Sequence, residues 1–291
     1  STIDAASYGH YLYFSGTGIE PATSNYRFFG LAVRCLARTD LTIEDATYLQ
    51  DVTPEMRQNT AIGTTATLKD KRDNQEYTIA KLKDGNIWMT KNLNLAGGTT
   101  LTPADSDVAE NYTLPVSSTT GFDDDNRAFV YNSGNNDDSF CDGTSNGPCY
   151  SYYSWNAATV ESGKNIITND TDAPYSICPL GWKLPTSRST VAGNSDFYQL
   201  AVAYGMDPNN IWQQNSNFYV EAGPGTVPNL LPANYIINNW YADNQVTGWY
   251  SSATSFNESS IRALLFKNYG YVGETEPIQR RTGIPVRCLL R

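Results

Sequence analysis

Nearly the same nine residues occur twice in this chain, as GLAVRCLAR at 30–38 and as GIPVRCLLR at 283–291. Gly, Val, Arg, Cys, Leu and Arg fall at the same six places in both. A compact domain has one slot for a given core strand, so the second copy needs a structural context of its own. The likeness also runs upstream. Thr2 to Phe14 and Thr254 to Phe266 each span twelve positions and run from a Ser/Thr-rich start into an apolar strand, YLYF in one and ALLF in the other. A hairpin containing Gly and Tyr follows in both. Phe14 to Gly30 is sixteen positions and Phe266 to Gly283 is seventeen, so the second copy gains one residue in the turn. Strands that agree around a tip that differs indicate a shared scaffold with a divergent loop. Residues 1–38 therefore read as the terminal strands of a preceding copy of the domain that ends at Arg291.

The remaining 250 or so residues allow one large domain with a substantial core. Charged residues make up only 17% of the chain, and Gly 22 with Pro 14 supplies many turns. Twenty Tyr suit either a strand-rich fold or a contact-making surface, since Tyr packs its ring and keeps a wet hydroxyl. The net charge of −10 and the absence of any basic block argue against nucleic acid as a partner. No apolar run approaches the length of a membrane span. Ser1 reads as the start of a processed or excerpted chain.

Along the chain, residues 39–60 read as a turn-rich connector, with Thr53 capping a short helix that begins at Pro54. Residues 61–291 form the main domain. ATLKD and YTIAKL alternate around a KRDNQ turn, and an Asp-Gly turn leads into NIWM, so three strands are expected between Thr64 and Met89. Residues 97–150 are polar and rich in Gly, Asn and Asp, and are expected to be a long loop insertion. Cys141 and Cys149 flank a Gly/Asn/Pro stretch suited to a local disulfide staple. SDFYQLAVAYG at 195–205 is the best helix, with Ser195 as cap, Phe197, Leu200, Ala201 and Tyr204 on one face, and Gly205 ending it.

Three stretches in order, DGNIWMTKNLNL at 84–95, ICPLGWKLPT at 177–186, and WYSSAT followed by GIPVRCL at the end, resemble the Fibrobacter succinogenes major paralogous domain. That domain is a cell-surface module similar in fold to C-type lectins and to formylglycine-generating enzymes, and it often occurs in tandem copies. The resemblance covers about Leu49 to Arg291. It implies an α+β, C-type-lectin-like fold with small twisted antiparallel sheets, one or two helices and long loops. It also implies a secreted or cell-surface location and a disulfide between Cys178 and Cys288. Relatives carry further cysteines where this chain has Arg57 and Ile87, so one bridge holding the 49–60 segment is missing. Cys35 occupies the place of Cys288 in the first copy and is expected to be unpaired or linked to another chain.

Candidate function follows from what is present and what is missing. The enzyme branch of the fold needs a reactive cysteine pair, and the implied bridge occupies both Cys178 and Cys288. The single histidine, His10, lies in the first copy, so no conventional triad is available to the main domain. No enzyme activity is expected. The acidic clusters FDDDN and GNNDDSFCDG offer oxygen ligands, but without EF-hand spacing. Glu276-Pro277-Ile278 lacks the third ligand of a calcium-dependent lectin site. A solvated acidic loop is expected there, with calcium the only candidate cofactor. Trp88, Trp182 and Trp249 read as core aromatics. Ligand contacts are expected instead at Trp240 and Tyr241, in a polar loop, and along the final strands at Asn257, Glu258, Tyr269, Tyr271, Glu274, Glu276, Gln279 and Arg280. The expected function is an extracellular, adhesin-like module that binds a cell-surface protein or glycan. The alternative is a structural subunit of a surface filament, assembled with neighbouring copies through the duplicated strands.

Overall fold

The computed structural model describes residues 3–4, 8–26, 38–116, 124–132, 151–188, 195–210, 212–213, 217–231, 235–237, 240–242, 247–268 and 270–291. They fall into two compact units, Ser1–Thr39 and Asp40–Arg291. The first is a three-stranded antiparallel sheet of β1 (Ile3–Asp4), β2 (Tyr8–Ser15) and β3 (Gly18–Tyr26), in that order. Cys35 lies outside the described residues.

The second unit is built mostly of small antiparallel sheets with a few short helices, consistent with an α+β or mainly-β class. Its first segment, 40–60, holds two 3-10 turns and α1 (Pro54–Asn59). The Thr53 hydroxyl accepts from the Met56 amide at 3.4 Å, which caps the helix that Pro54 opens. This segment is more than a connector, because Ile43, Leu49 and Met56 are buried in the largest core cluster. The Lys81 ammonium donates to the carbonyls of Arg57 and Thr60 at 2.6 and 2.9 Å. Ile87 is fully buried and Arg57 reaches Asn86 at 3.5 Å, so packing and backbone bonds hold the segment without a second bridge.

Strands β4 (Thr65–Lys69), β5 (Glu76–Lys81) and β6 (Ile87–Met89) form the expected meander. Gly85 has φ +82°, the left-handed geometry that its Asp-Gly turn requires. The described parts of 97–150 correct the expectation of a coreless loop. They include β7 (Thr100–Leu101) paired with β8 (Tyr112–Thr113), and β9 (Val130–Asn132), which pairs with β10 (Ser151–Tyr153). Leu101, Leu114, Phe129 and Val130 are buried, so apolar residues scattered through a polar segment are enough to fold those parts onto the body. Cys141 and Cys149 lie outside the described residues.

Next come α2 (Trp155–Ala158), β11 (Thr171–Asp172) and β12 (Trp182–Lys183). They are followed by α3 (Asp196–Ala203), β13 (Trp212–Gln213) and α4 (Phe218–Ala222). Helix α3 is as expected. Ser195 accepts from the Tyr198 amide, Phe197, Leu200, Ala201 and Tyr204 are buried, and Gly205 has φ +99°. A short ribbon of β14 (Tyr235–Ile237) and β15 (Trp240–Ala242) precedes β16 (Thr247–Ser255), β17 (Ser260–Lys267), β18 (Val272–Gln279) and β19 (Leu289–Leu290).

Two five-stranded sheets organise this unit, one in the order β12-β19-β6-β5-β4 and one in the order β11-β16-β17-β18-β13. In the first, the three motifs NIWM, GWK and RCLL become adjacent strands. Leu290 stands opposite Trp182 and Leu289 opposite Trp88. Trp88 and Trp182 are buried, and the Trp182 indole donates to the Leu49 carbonyl at 2.8 Å. Trp249 is only half-buried. In the second sheet, β17 carries the apolar run ALLF and is buried on both faces, Arg262 included. Leu264, Phe266 and Val272 pack against Phe197 and Leu200 of α3 and Phe218 of α4. Ile261, Ala263 and Ile278 pack against Trp155 and Ile284.

Candidate functional site

The closing strands are fastened in three ways. Cys178 and Cys288 form a disulfide with Cα atoms 5.8 Å apart, closing a stretch of 110 residues. Arg287, the neighbour of Cys288, is buried with its guanidinium 5.0 Å from the Tyr250 ring. It donates to Asn92 Oδ1 at 2.7 Å and to the Pro228 and Asn229 carbonyls at 2.6 Å each. Arg280 supplies the third fastening.

Arg280 overturns an expectation. It was expected to face a ligand, yet it is among the largest fully buried side chains. Its guanidinium lies 4.3 Å from the Trp155 ring and donates to the carbonyls of Lys164, Ile166 and Asn257 and to the Ser255 hydroxyl. A planar cation that stacks on an aromatic and feeds several carbonyls is a tie between loops. Here it holds the 257–259 turn from beneath. Within that turn, Asn257 Oδ1 accepts from the Ser259 amide at 2.9 Å.

The other expected contact residues do not form one patch. Asn257, Glu258 and Gln279 are exposed at the end of the hairpin where Ser260 faces Gln279. Tyr271 lies past the other end, where Phe266 faces Val272. Six strand steps separate the two ends, on the order of 20 Å at about 3.4 Å per residue. Near the tip, the Tyr271 hydroxyl donates to the half-buried Glu276 carboxylate, and the Lys267 ammonium lies 5.6 Å from the Tyr271 ring. Trp240 and Tyr241 sit in β15, a ribbon strand rather than a polar loop, paired with Ile237 and Ile236. Their side chains, the Glu274 side chain and Tyr269 lie outside the described residues.

A groove of about 620 Å³ was not foreseen. Thr65, Thr78, Thr90 and Lys91 line it on one side, and Pro224, Gly225, Thr226, Val227, Asn229 and Leu231 on the other, so its surface is more apolar than polar. Arg287 fixes the 228–229 backbone that forms the second wall. The two walls lie well over a hundred positions apart in the chain, and threonine is an ordinary strand residue, so no local pattern marks the groove. A smaller cleft of about 250 Å³ carries Asp107, Lys183 and Arg291. Its charges are paired, Arg291 with Asp107 at 2.6 Å and Lys183 with Asp196 at 2.8 Å.

Among the described residues no three His, Cys, Asp or Glu side chains gather into a metal-holding group. No described helix is long and apolar enough to cross a membrane. No family model matches the chain, and no curated protein or solved structure matches it either.

Proposed function

We propose that this chain is an extracellular, adhesin-like binding module on a C-type-lectin-like scaffold of the kind its three motifs resemble. The observation that carries this reading is the mechanical state of the closing strands. A disulfide and two buried arginines pin them from within, while Asn257, Glu258 and Gln279 are exposed and Tyr271 and Glu276 half-buried. Rigid backing under polar and aromatic side chains lowers the ordering cost of binding. A cell-surface protein or glycan is the partner class. Disulfide closure suits the oxidising space outside the cytoplasm. The reading assigns no catalysis, because the thiols that a formylglycine-generating type of site would use are joined to each other and buried.

The test is a glycan-array and cell-surface binding screen of the whole chain, followed by three double variants. Tyr271→Ala with Glu276→Ala alters the hairpin tip, Glu258→Ala with Gln279→Ala alters the opposite end, and Lys91→Ala with Thr226→Ala alters the groove. Binding should fall at least tenfold in one of the two hairpin variants with the melting temperature unchanged. A loss confined to the groove variant would move the site there, and binding indifferent to all three would refute the reading.

A further inference from the structure

The two copies of the closing hairpin share their register pair by pair. Tyr8–Ser15 of β2 answers to Ser260–Lys267 of β17, eight residues each. Gly9 faces Asn25 as Ile261 faces Ile278, Tyr11 faces Thr23 as Ala263 faces Glu276, and Phe14 faces Ile19 as Phe266 faces Val272. Both ladders carry an irregularity at the same place, between Tyr11 and Tyr13 in one and between Ala263 and Leu265 in the other. The preceding strand agrees as well, since Ile3 faces Gly9 where Ser255 faces Ile261. A bulge is a specific device that bends a strand toward a particular neighbour. The first hairpin therefore has the shape of one that closes a body.

Three of its apolar positions are exposed. Leu12 is 58% exposed where its counterpart Leu264 is 0%, and Ile19 is 73% exposed where Val272 is 0%. Tyr13 is 46% exposed against 6% for Leu265. In the second copy Leu264 and Val272 are covered by the aromatic and leucine side chains of α3 and α4, while Leu265, the next residue along the strand, faces the other way. The same chain thus shows what kind of surface covers this face. The opposite face differs in chemistry, because Gly9, Tyr11 and Asn25 stand where the second copy has Ile261, Ala263 and Ile278, which pack on Trp155 and Ile284. A tyrosine in an alanine's place does not fit that packing without rearrangement.

We infer that the N-terminal hairpin is the closing element of a second body with the fold of Asp40–Arg291 but a different sequence. That body's α3- and α4-like helices cover Leu12 and Ile19, and its opposite pocket accepts Tyr11. The inference rests on the repeat and stands apart from any ligand of the main unit.

The test places a copy of residues 40–252 directly ahead of Ser1 in the full chain, so that it meets the first hairpin as residue 252 meets the second. A companion protein also carries Gly9→Ile, Tyr11→Ala and Asn25→Ile, which match the pocket of this particular body. Closure in either protein supports the inference. It would be read as a mass-mapped disulfide between Cys35 and the added copy of Cys178, with at least hundredfold slower amide exchange around Leu12 and Ile19. Closure should disappear with Leu12→Asp and Ile19→Asp. An added segment that stays protease-sensitive, with Cys35 unlinked, in both proteins overturns it. So does a concentration-dependent dimer of the unextended chain that Leu12→Asp dissolves, which would give the face to a second copy of this chain.

Discussion

Arg280 and Asp70 carry charge inside the body for different reasons. Arg280 ties the 257–259 turn to the 163–166 segment through carbonyls, so removing it leaves several acceptors without a donor. Arg280→Met is expected to destabilise the fold by about 1–3 kcal/mol, seen in urea unfolding, and to speed proteolysis at the turn. Asp70 takes a bidentate contact from Arg72, whose Nη2 is 2.5 Å away, and both side chains are fully buried. Burial alone would push the Asp70 carboxyl up, but the Arg72 hydrogen bonds and charge outweigh it and hold the carboxyl below the ordinary range. A depressed folded pKa contributes stability that is present above the unfolded value of about 3.9 and is lost as pH falls through the folded value. Asp70→Asn should therefore cost about 3 kcal/mol at pH 7 by stranding a buried guanidinium. Its deficit relative to the unaltered chain should shrink steadily below about pH 4.

Among the elements, the terminal sheet depends most on close fit. A Cβ placed on Gly248 would meet the Phe266 ring at 2.2 Å, inside a face already filled by α3 and α4. Gly248→Ala is expected to cost about 1–3 kcal/mol by overpacking, measured from the denaturant midpoint. The disulfide acts on the same strands through the unfolded chain. Closing 110 residues removes on the order of 4–5 kcal/mol of unfolded-state entropy. Cys288→Ser should lower the unfolding free energy by a similar amount, with the folded circular dichroism spectrum retained at low temperature. Much of this was readable in advance. The Asp-Gly turn, the Ser195 cap and the alternation of ATLKD and YTIAKL are local signals, and the structure meets each of them. The burial of Arg280 was not readable, because it depends on Trp155 and on carbonyls more than a hundred positions away. The polarity of 97–150 likewise concealed that Leu101, Leu114, Phe129 and Val130 reach the core. The groove was hidden for the same reason, since its walls come from separate elements.

At the scale of the whole molecule, one hairpin pattern occurs twice, seated in a core in one copy and with Leu12, Tyr13 and Ile19 exposed in the other. The repeat was visible as GLAVRCLAR and GIPVRCLLR, but residue types alone could not show that register and bulge also coincide. Nor could they show the contrast in burial that separates two hairpins of the same shape. Amide hydrogen exchange of the intact chain, followed by mass spectrometry, compares the copies directly. The amides of Leu264, Leu265 and Phe266 should exchange only through global unfolding, and their counterparts at Leu12, Tyr13 and Phe14 at least a hundredfold faster. Equal protection of the two hairpins would contradict the account.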